Sequence, residues 1–248
     1  MFKNFINFFI FYFVKFSLAL RYRFTVEGLE KLDLDGSCGV LLLSNHVAEI
    51  DPVIIEFLLW RKLKPHPLAS STLFKSPFVR WVLGQVGAVS VPSISYSVRG
   101  REENEREVKK YFASVLQILE DSGTVLLYPS GRISREGREV LGGNSSAYVL
   151  LQEVEKCNVV LVRIRGLWGS SFSRYNRNTT PPLGKTFKQS FFALLKKGFF
   201  FLPRRPVSLT LEQADLSLLR SFVSKQELNR FLEEWFNRDP EKVCLVPY

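Results

Sequence analysis

The stretch Val40-Leu41-Leu42-Leu43-Ser44-Asn45-His46-Val47-Ala48-Glu49-Ile50-Asp51-Pro52 decides how the rest of the chain is read. Its first four residues are apolar without alternation, the pattern of a strand covered on both faces. Asp51 followed by Pro52 predicts a helix start, with a side-chain cap and then a ring whose fixed φ already suits the first turn. A buried strand therefore ends in a polar loop carrying His46 and Asp51. Histidine is the one side chain whose ordinary pKa lets it take up and return a proton near neutrality. A carboxylate five residues on can fix its tautomer and steady the imidazolium. The plainer reading is that Asp51 only caps the helix and His46 only ends the strand. Histidine is scarce here, however: there are 2, and the other, His66, stands between Pro65 and Pro67. No serine occupies a G-x-S-x-G elbow, so any acid–base chemistry by histidine falls to His46.

Outward from this stretch, residues 51–62 predict a helix whose apolar positions nearly surround it and which is therefore buried. Upstream, Tyr22, Phe24 and Val26 alternate with Arg23, Thr25 and Glu27 as a half-buried strand. Downstream, a short strand at 67–70, a helix at 77–84 and a strand at 86–91 are expected. A helix at 100–121 follows, with a solvated charged first half and an apolar face at Val108, Tyr111, Phe112, Val115, Leu116 and Leu119. Gly123 ends it. Residues 124–128 are a second buried strand, and like the first they deliver a polar loop. If the two strands are parallel, both loops open at the carboxyl edge of the sheet, where α/β folds bind ligands. The second loop, 129–143, combines Gly131, Gly137, Gly142 and Gly143 with Arg132, Arg135 and Arg138. Glycines let a ligand approach the backbone and arginines supply forked donors, which suits phosphate; a mobile solvated loop is the alternative. A helix at 144–155, a strand at 159–164, an edge strand at 207–211 and a last helix opened by the capping box Ser224-x-x-Glu227 complete the pattern. The fold class expected is α/β, one domain over 21–248 with a mostly parallel central sheet flanked by helices.

The 248 residues suffice for one sizeable domain, and the net charge of +10 points to anionic partners. Three cysteines, Cys38, Cys157 and Cys244, share no metal-type spacing and are odd in number, which argues against a disulfide framework or a zinc site. No metal or cofactor is expected. Residues 1–20 contain Phe2, Phe5, Phe8, Phe9, Phe11, Phe13 and Phe16. A cleaved secretory signal, a single transmembrane helix and an interfacial helix each account for such a segment; the interruptions at Asn4, Asn7 and Lys15 favour an interfacial membrane-attachment helix. Between Cys157 and Leu211 there is no Asp or Glu but there are 10 basic residues, interleaved with Trp168, Phe172, Tyr175 and several phenylalanines. Cations among aromatics suit a membrane lipid surface better than nucleic acid, for which no motif is present.

Asn45-His46-x4-Asp51 resembles the first block of the glycerolipid acyltransferase family, the PlsC-like lysophospholipid acyltransferases. Tyr128-Pro129-Ser130-Gly131-Arg132-Ile133-Ser134 is similar to its third block, F-P-E-G-T-R-S, and Val159 to Ile164 to its fourth. Arg165 to Arg174 resembles the branch that includes acyl-ACP:2-acylglycerophosphoethanolamine acyltransferases. The likeness spans residues 22–215. It implies transfer of a fatty acyl group from acyl-ACP or acyl-CoA to a lysophospholipid hydroxyl, with His46 as general base oriented by Asp51. It further implies substrate binding by Asn45, Ser130, Gly131, Arg132 and Arg135. Four positions depart from the family pattern, among them Ile133, which stands where an arginine is frequent while Arg132 keeps a guanidinium one position earlier. Ser130 stands where a glutamate is usual and Ser93 where an arginine helps hold the acceptor phosphate; Leu161 replaces a proline. A non-catalytic lipid-binding or scaffold protein with the same fold is the second reading. The placement implied is the cytoplasmic face of a cell membrane, peripheral or monotopic; the sequence leaves the oligomeric state open.

Overall fold

The computed structural model describes residues 12, 14–92, 100–175, 184, 186, 188, 189, 192 and 204–245. The strands are β1 Tyr22–Glu27, β2 Val40–Ser44, β3 Pro65–Ser70, β4 Val89–Val91, β5 Thr124–Leu127, β6 Asn158–Arg165 and β7 Arg205–Ala214. The helices are α1 Asp51–Leu59, α2 Pro77–Gln85, α3 Arg101–Glu120, α4 Ser146–Glu153, α5 Leu216–Arg220 and α6 Lys225–Phe236. The strands form one sheet in the order β1-β7-β6-β2-β5-β3-β4. β6, β2, β5, β3 and β4 pair in parallel, while β7 runs antiparallel to β6 and parallel to β1.

β2 lies at the middle, and all five of its residues are buried. Because side chains alternate across a strand, Leu42 faces one layer and Leu41 and Leu43 the other. The first layer holds Ile54, Ile55 and Leu59 of α1 together with Leu18, from a helical stretch over residues 14–21. The second holds Tyr111, Val115 and Leu119 of α3, Leu150 and Leu151 of α4, and Leu228 and Leu232 of α6. A four-residue apolar run without alternation is thus explained by a sheet covered on both sides. From β2 the chain crosses to β3 on one side, whereas β5 leads through α4 to β6 on the other. The strand order therefore reverses beside β2, and its carboxyl end opens into the resulting crevice.

Several expectations are corrected. The helix foreseen over 51–62 ends at Leu59. The strand foreseen at 86–91 is only Val89–Val91, because Gly87 takes φ 63° to turn the chain against the ring of His66. Residues 207–211 are not at an edge. β7 pairs on both sides, with β1 and with β6; alternation reports which faces are covered, not which edges are paired. Asp51 is not a helix cap: Ile50 occupies that position and makes no side-chain cap bond, while Asp51 is the first helical residue. The last helix does open as expected, with Ser224 accepting from the Glu227 N–H. Among the described residues no helix is long and apolar enough to cross a membrane. Most of the phenylalanine-rich segment, and Ser93, lie outside the described residues.

One buried group is unaccounted for by packing. Glu56, on α1, is 8% exposed and neither of its oxygens has a hydrogen-bond partner. Burial pushes its carboxyl up to about 9. A carboxyl raised in the folded state contributes full stability while neutral, below its ordinary value, and loses that contribution as pH climbs toward the folded value. Wild-type stability is expected to fall relative to Glu56→Gln from about pH 5 upward, by roughly 3 kcal/mol near pH 7. Denaturation midpoints of the two proteins across that range check it.

Candidate active site

The loop between β2 and α1 is built by its own side chains. Asn45 is buried, and its amide bridges to the backbone of β6: Nδ2 donates to the Ile164 carbonyl at 2.9 Å and Oδ1 accepts from the Ile164 N–H at 2.8 Å. Both of its polar atoms bond to the sheet, so Asn45 holds the strand end in place. The next residue leaves the sheet. His46 turns its Nδ1 to Asp51 Oδ2 at 3.1 Å, and the same oxygen accepts from the N–H groups of Val47 at 2.6 Å and Ala48 at 2.9 Å. Asp51 is fully buried, with its ring partner 16% exposed. Burial pushes the Asp51 carboxyl above the ordinary range; the His46 ring and the two N–H groups oppose that shift. With Nδ1 facing a carboxylate, Nδ1 carries the proton and Nε2 keeps a lone pair, the form needed in a general base.

The second loop packs directly on the first. Tyr128, at the end of β5, stacks its ring on His46 with centroids 4.2 Å apart. The Ser134 N–H donates to the His46 carbonyl at 2.9 Å, and the His46 N–H donates to Glu139 Oε2 at 3.1 Å. Gly131 takes φ 62°, and a Cβ there would meet the Asn144 side-chain amide at 2.7 Å, which favours glycine. Ser130 is buried; its hydroxyl donates to the Arg132 carbonyl at 2.9 Å and lies beside the Glu139 carboxyl. Ser130 thus ties the loop to itself. The carboxylate in this part of the site belongs to Glu139, nine positions along.

Arg132 and Arg135 are exposed, and both repel a third guanidinium, Arg174, which is also coupled electrostatically to Glu49. Arg174 is carried to this place by two backbone contacts: a bridge between Ala48 and Ser173, and the Glu49 N–H donating to the Phe172 carbonyl at 3.0 Å. Three cations from two loops thus gather beside the histidine loop. Not all of the basic residues between 157 and 211 contribute to a charged surface. Arg163 is buried under α6, donating to the Trp235 carbonyl at 3.0 Å and pairing with Asp239 at 3.1 Å. Arg205 donates to the carbonyls of Gly166, Trp168 and Cys244. These two are internal ties for turn carbonyls. Arg177, Lys185, Lys196 and Lys197 lie outside the described residues, and no metal-type cluster of His, Cys, Asp and Glu occurs among the described ones.

Sequence reasoning missed Tyr128, Glu139 and Arg174 as members of this site. Tyr128 sits in a motif whose glycine and arginine carry the recognisable chemistry. Glu139 and Arg174 had no signal of their own, since only folding brings positions 46, 139 and 174 together.

The family model described as Acyltransferase matches residues 23–165, a span that contains both loops around His46. No curated protein matches the chain. Among solved structures, the crystal structure of the 1-acyl-sn-glycerophosphate (LPA) acyltransferase PlsC from Thermotoga maritima is 19% identical, with a TM-score of 0.59 over 95% of this chain and 78% of that one. At that identity the likeness is one of fold. The geometry separates scaffold from surface: Asn45→Ala is expected to lower stability by about 2 kcal/mol through two lost hydrogen bonds. Arg132→Ala is expected to change it by less than about 0.5 kcal/mol. Urea unfolding of both variants checks the contrast.

Proposed function

Because the chain belongs to the Acyltransferase family, we propose that it moves a fatty acyl group from a thioester, acyl-ACP or acyl-CoA, to a free glycerol hydroxyl of a lysophospholipid. The acceptor is 1-acylglycerol-3-phosphate or a lysophospholipid with a larger headgroup. The observation that carries this reading is the 3.1 Å contact between His46 Nδ1 and the buried Asp51 carboxylate, with the ring partly open at the carboxyl edge of the sheet.

In the proposed step the lone pair on His46 Nε2 takes the hydroxyl proton as the glycerol oxygen attacks the thioester carbonyl carbon. The tetrahedral intermediate then expels the thiol sulfur, which receives that proton from the imidazolium. One C–O bond forms, one C–S bond breaks and the proton count is unchanged. No acyl-enzyme is required. Asp51 keeps the ring in the reactive tautomer and balances the charge it acquires. In this reading Arg132, Arg135 and Arg174 hold the phosphate of the acceptor by charge-assisted hydrogen bonds, with Gly131 allowing close approach; their gathering beside the histidine loop supports it. Attachment to the cytoplasmic face of a membrane, through residues 1–20 and the basic surface, would present the acceptor from the lipid side.

Purified protein assayed with a panel of lysophospholipids and both donors is expected to transfer acyl chains. His46→Ala is expected to lower turnover by about 10³-fold while binding to anionic vesicles is retained. Wild type and variant equally inert across the panel would favour a lipid-binding scaffold and overturn the catalytic reading.

A further inference from the structure

The buried carboxyl of Glu139 is used by none of the steps above. Its residue is clamped at the main chain by the amide of Asn237, just past α6. The Glu139 N–H donates to Asn237 Oδ1 at 2.8 Å, and Asn237 Nδ2 donates to the Glu139 carbonyl at 2.9 Å. The side chain is 2% exposed and points into the seam between the two loops. There Oε2 accepts from the His46 N–H at 3.1 Å and from the Ser134 hydroxyl at 2.7 Å. Oε1 is buried and has no hydrogen-bond partner. The two bonds to Oε2 could be made equally well by a glutamine oxygen, which would bring no ionisable group into the interior. A carboxyl at such a place carries a desolvation penalty that a purely structural acceptor would avoid.

We propose that Glu139 is a positioning residue for the acyl transfer: it fixes the main chain of His46 and, as a carboxylate, stabilises the imidazolium that forms when His46 takes the hydroxyl proton. The inference rests on the catalytic reading given above. Glu139 neither gains nor loses a proton in the step, so the balance of the reaction is unchanged. The groups that face it are His46 from the β2–α1 loop, Ser130 and Ser134 from its own loop, Tyr128 from the end of β5, and Asn237 after α6. Of these, only His46 can become a cation. Burial holds the Tyr128 phenol protonated, with the carboxyls of Asp51, Glu56 and Glu139 adding to that effect. Glu233, within α6, accepts from the Leu141 and Gly142 N–H groups. Burial also pushes the Glu139 carboxyl up to about 7, against the opposing pull of Ser130, Ser134 and the His46 N–H. The residue is then neutral on the acid side of neutrality and charged on the alkaline side, where the base is wanted.

The test is Glu139→Gln in the full chain, read three ways. Turnover is expected to fall roughly tenfold or more, with the acceptor KM within about twofold and the unfolding midpoint little changed. The pH–rate profile is expected to lose an inflection near the value at which Glu139 ionises. Imidazole NMR of the detergent-solubilised protein, which has only 2 histidines, is expected to show that same step in the ring shifts of His46 in wild type and its absence in the variant. Turnover within twofold of wild type with a superimposable pH profile would overturn the proposal. So would ring shifts that never register the Glu139 step. Should Glu139→Gln not fold, Ser134→Ala replaces it. That variant keeps the backbone bond to His46 but removes a donor from the carboxylate, and is expected to move the inflection to higher pH; an unmoved inflection overturns the proposal. If wild type itself transfers nothing, the catalytic reading fails, and the NMR titration still decides whether Glu139 and His46 are coupled.

Discussion

One carboxylate oxygen, Asp51 Oδ2, accepts three hydrogen bonds within 3.1 Å: from the His46 ring and from the N–H groups of Val47 and Ala48. Everything at the candidate site follows from it. The three donors come from consecutive residues, so the oxygen folds the loop around itself and delivers the ring in one orientation. Because Asp51 opens α1, whose apolar face is buried against β2, the oxygen cannot move without disturbing the core. The group that holds the His46 ring is also the group that shapes the loop, in surroundings dry enough to strengthen each of these bonds.

The loop needs an anchor on its other side, and the sheet supplies two. Asn45 ties the end of β2 to β6, and the loop after β5 lies over His46 through the Tyr128 ring, the Ser134 N–H and the Glu139 carboxylate. Both anchors depend on β2 having parallel neighbours on each side, since only then do the carboxyl ends of β5, β2 and β6 open at one edge. The parallel arrangement in turn requires helices on both faces, which is why the central strands are apolar throughout.

Charge is arranged by the same geometry. The acid-free stretch from 157 to 211 divides by burial: Arg163 and Arg205 turn inward to satisfy carbonyls, while Arg174 stands at the site with Arg132 and Arg135. A count of basic residues cannot make that division. It takes the pairing of the strands to make it: Arg163 lies opposite Thr210 in the β6–β7 ladder, and Arg205 opposite Tyr22 of β1.

How much of this was legible depended on the range of the interaction. The strands β2 and β5, the pairing of His46 with Asp51, and the capping box at Ser224 are local patterns, fixed by alternation, spacing and helix-start chemistry over a few residues. Two readings failed where a local signal served a non-local purpose. Asp51 resembles a cap but serves the preceding loop, and residues 207–211 alternate as an edge strand would, yet β7 is paired on both sides. The sequence by itself determined an α/β domain with an imidazole and a carboxylate at one strand end. Only the tertiary structure decided what surrounds that imidazole. Glu139 and Arg174 reach its loop across 93 and 128 positions of chain, and contacts at such separations are set by packing of the whole sheet, not by any pattern within one segment.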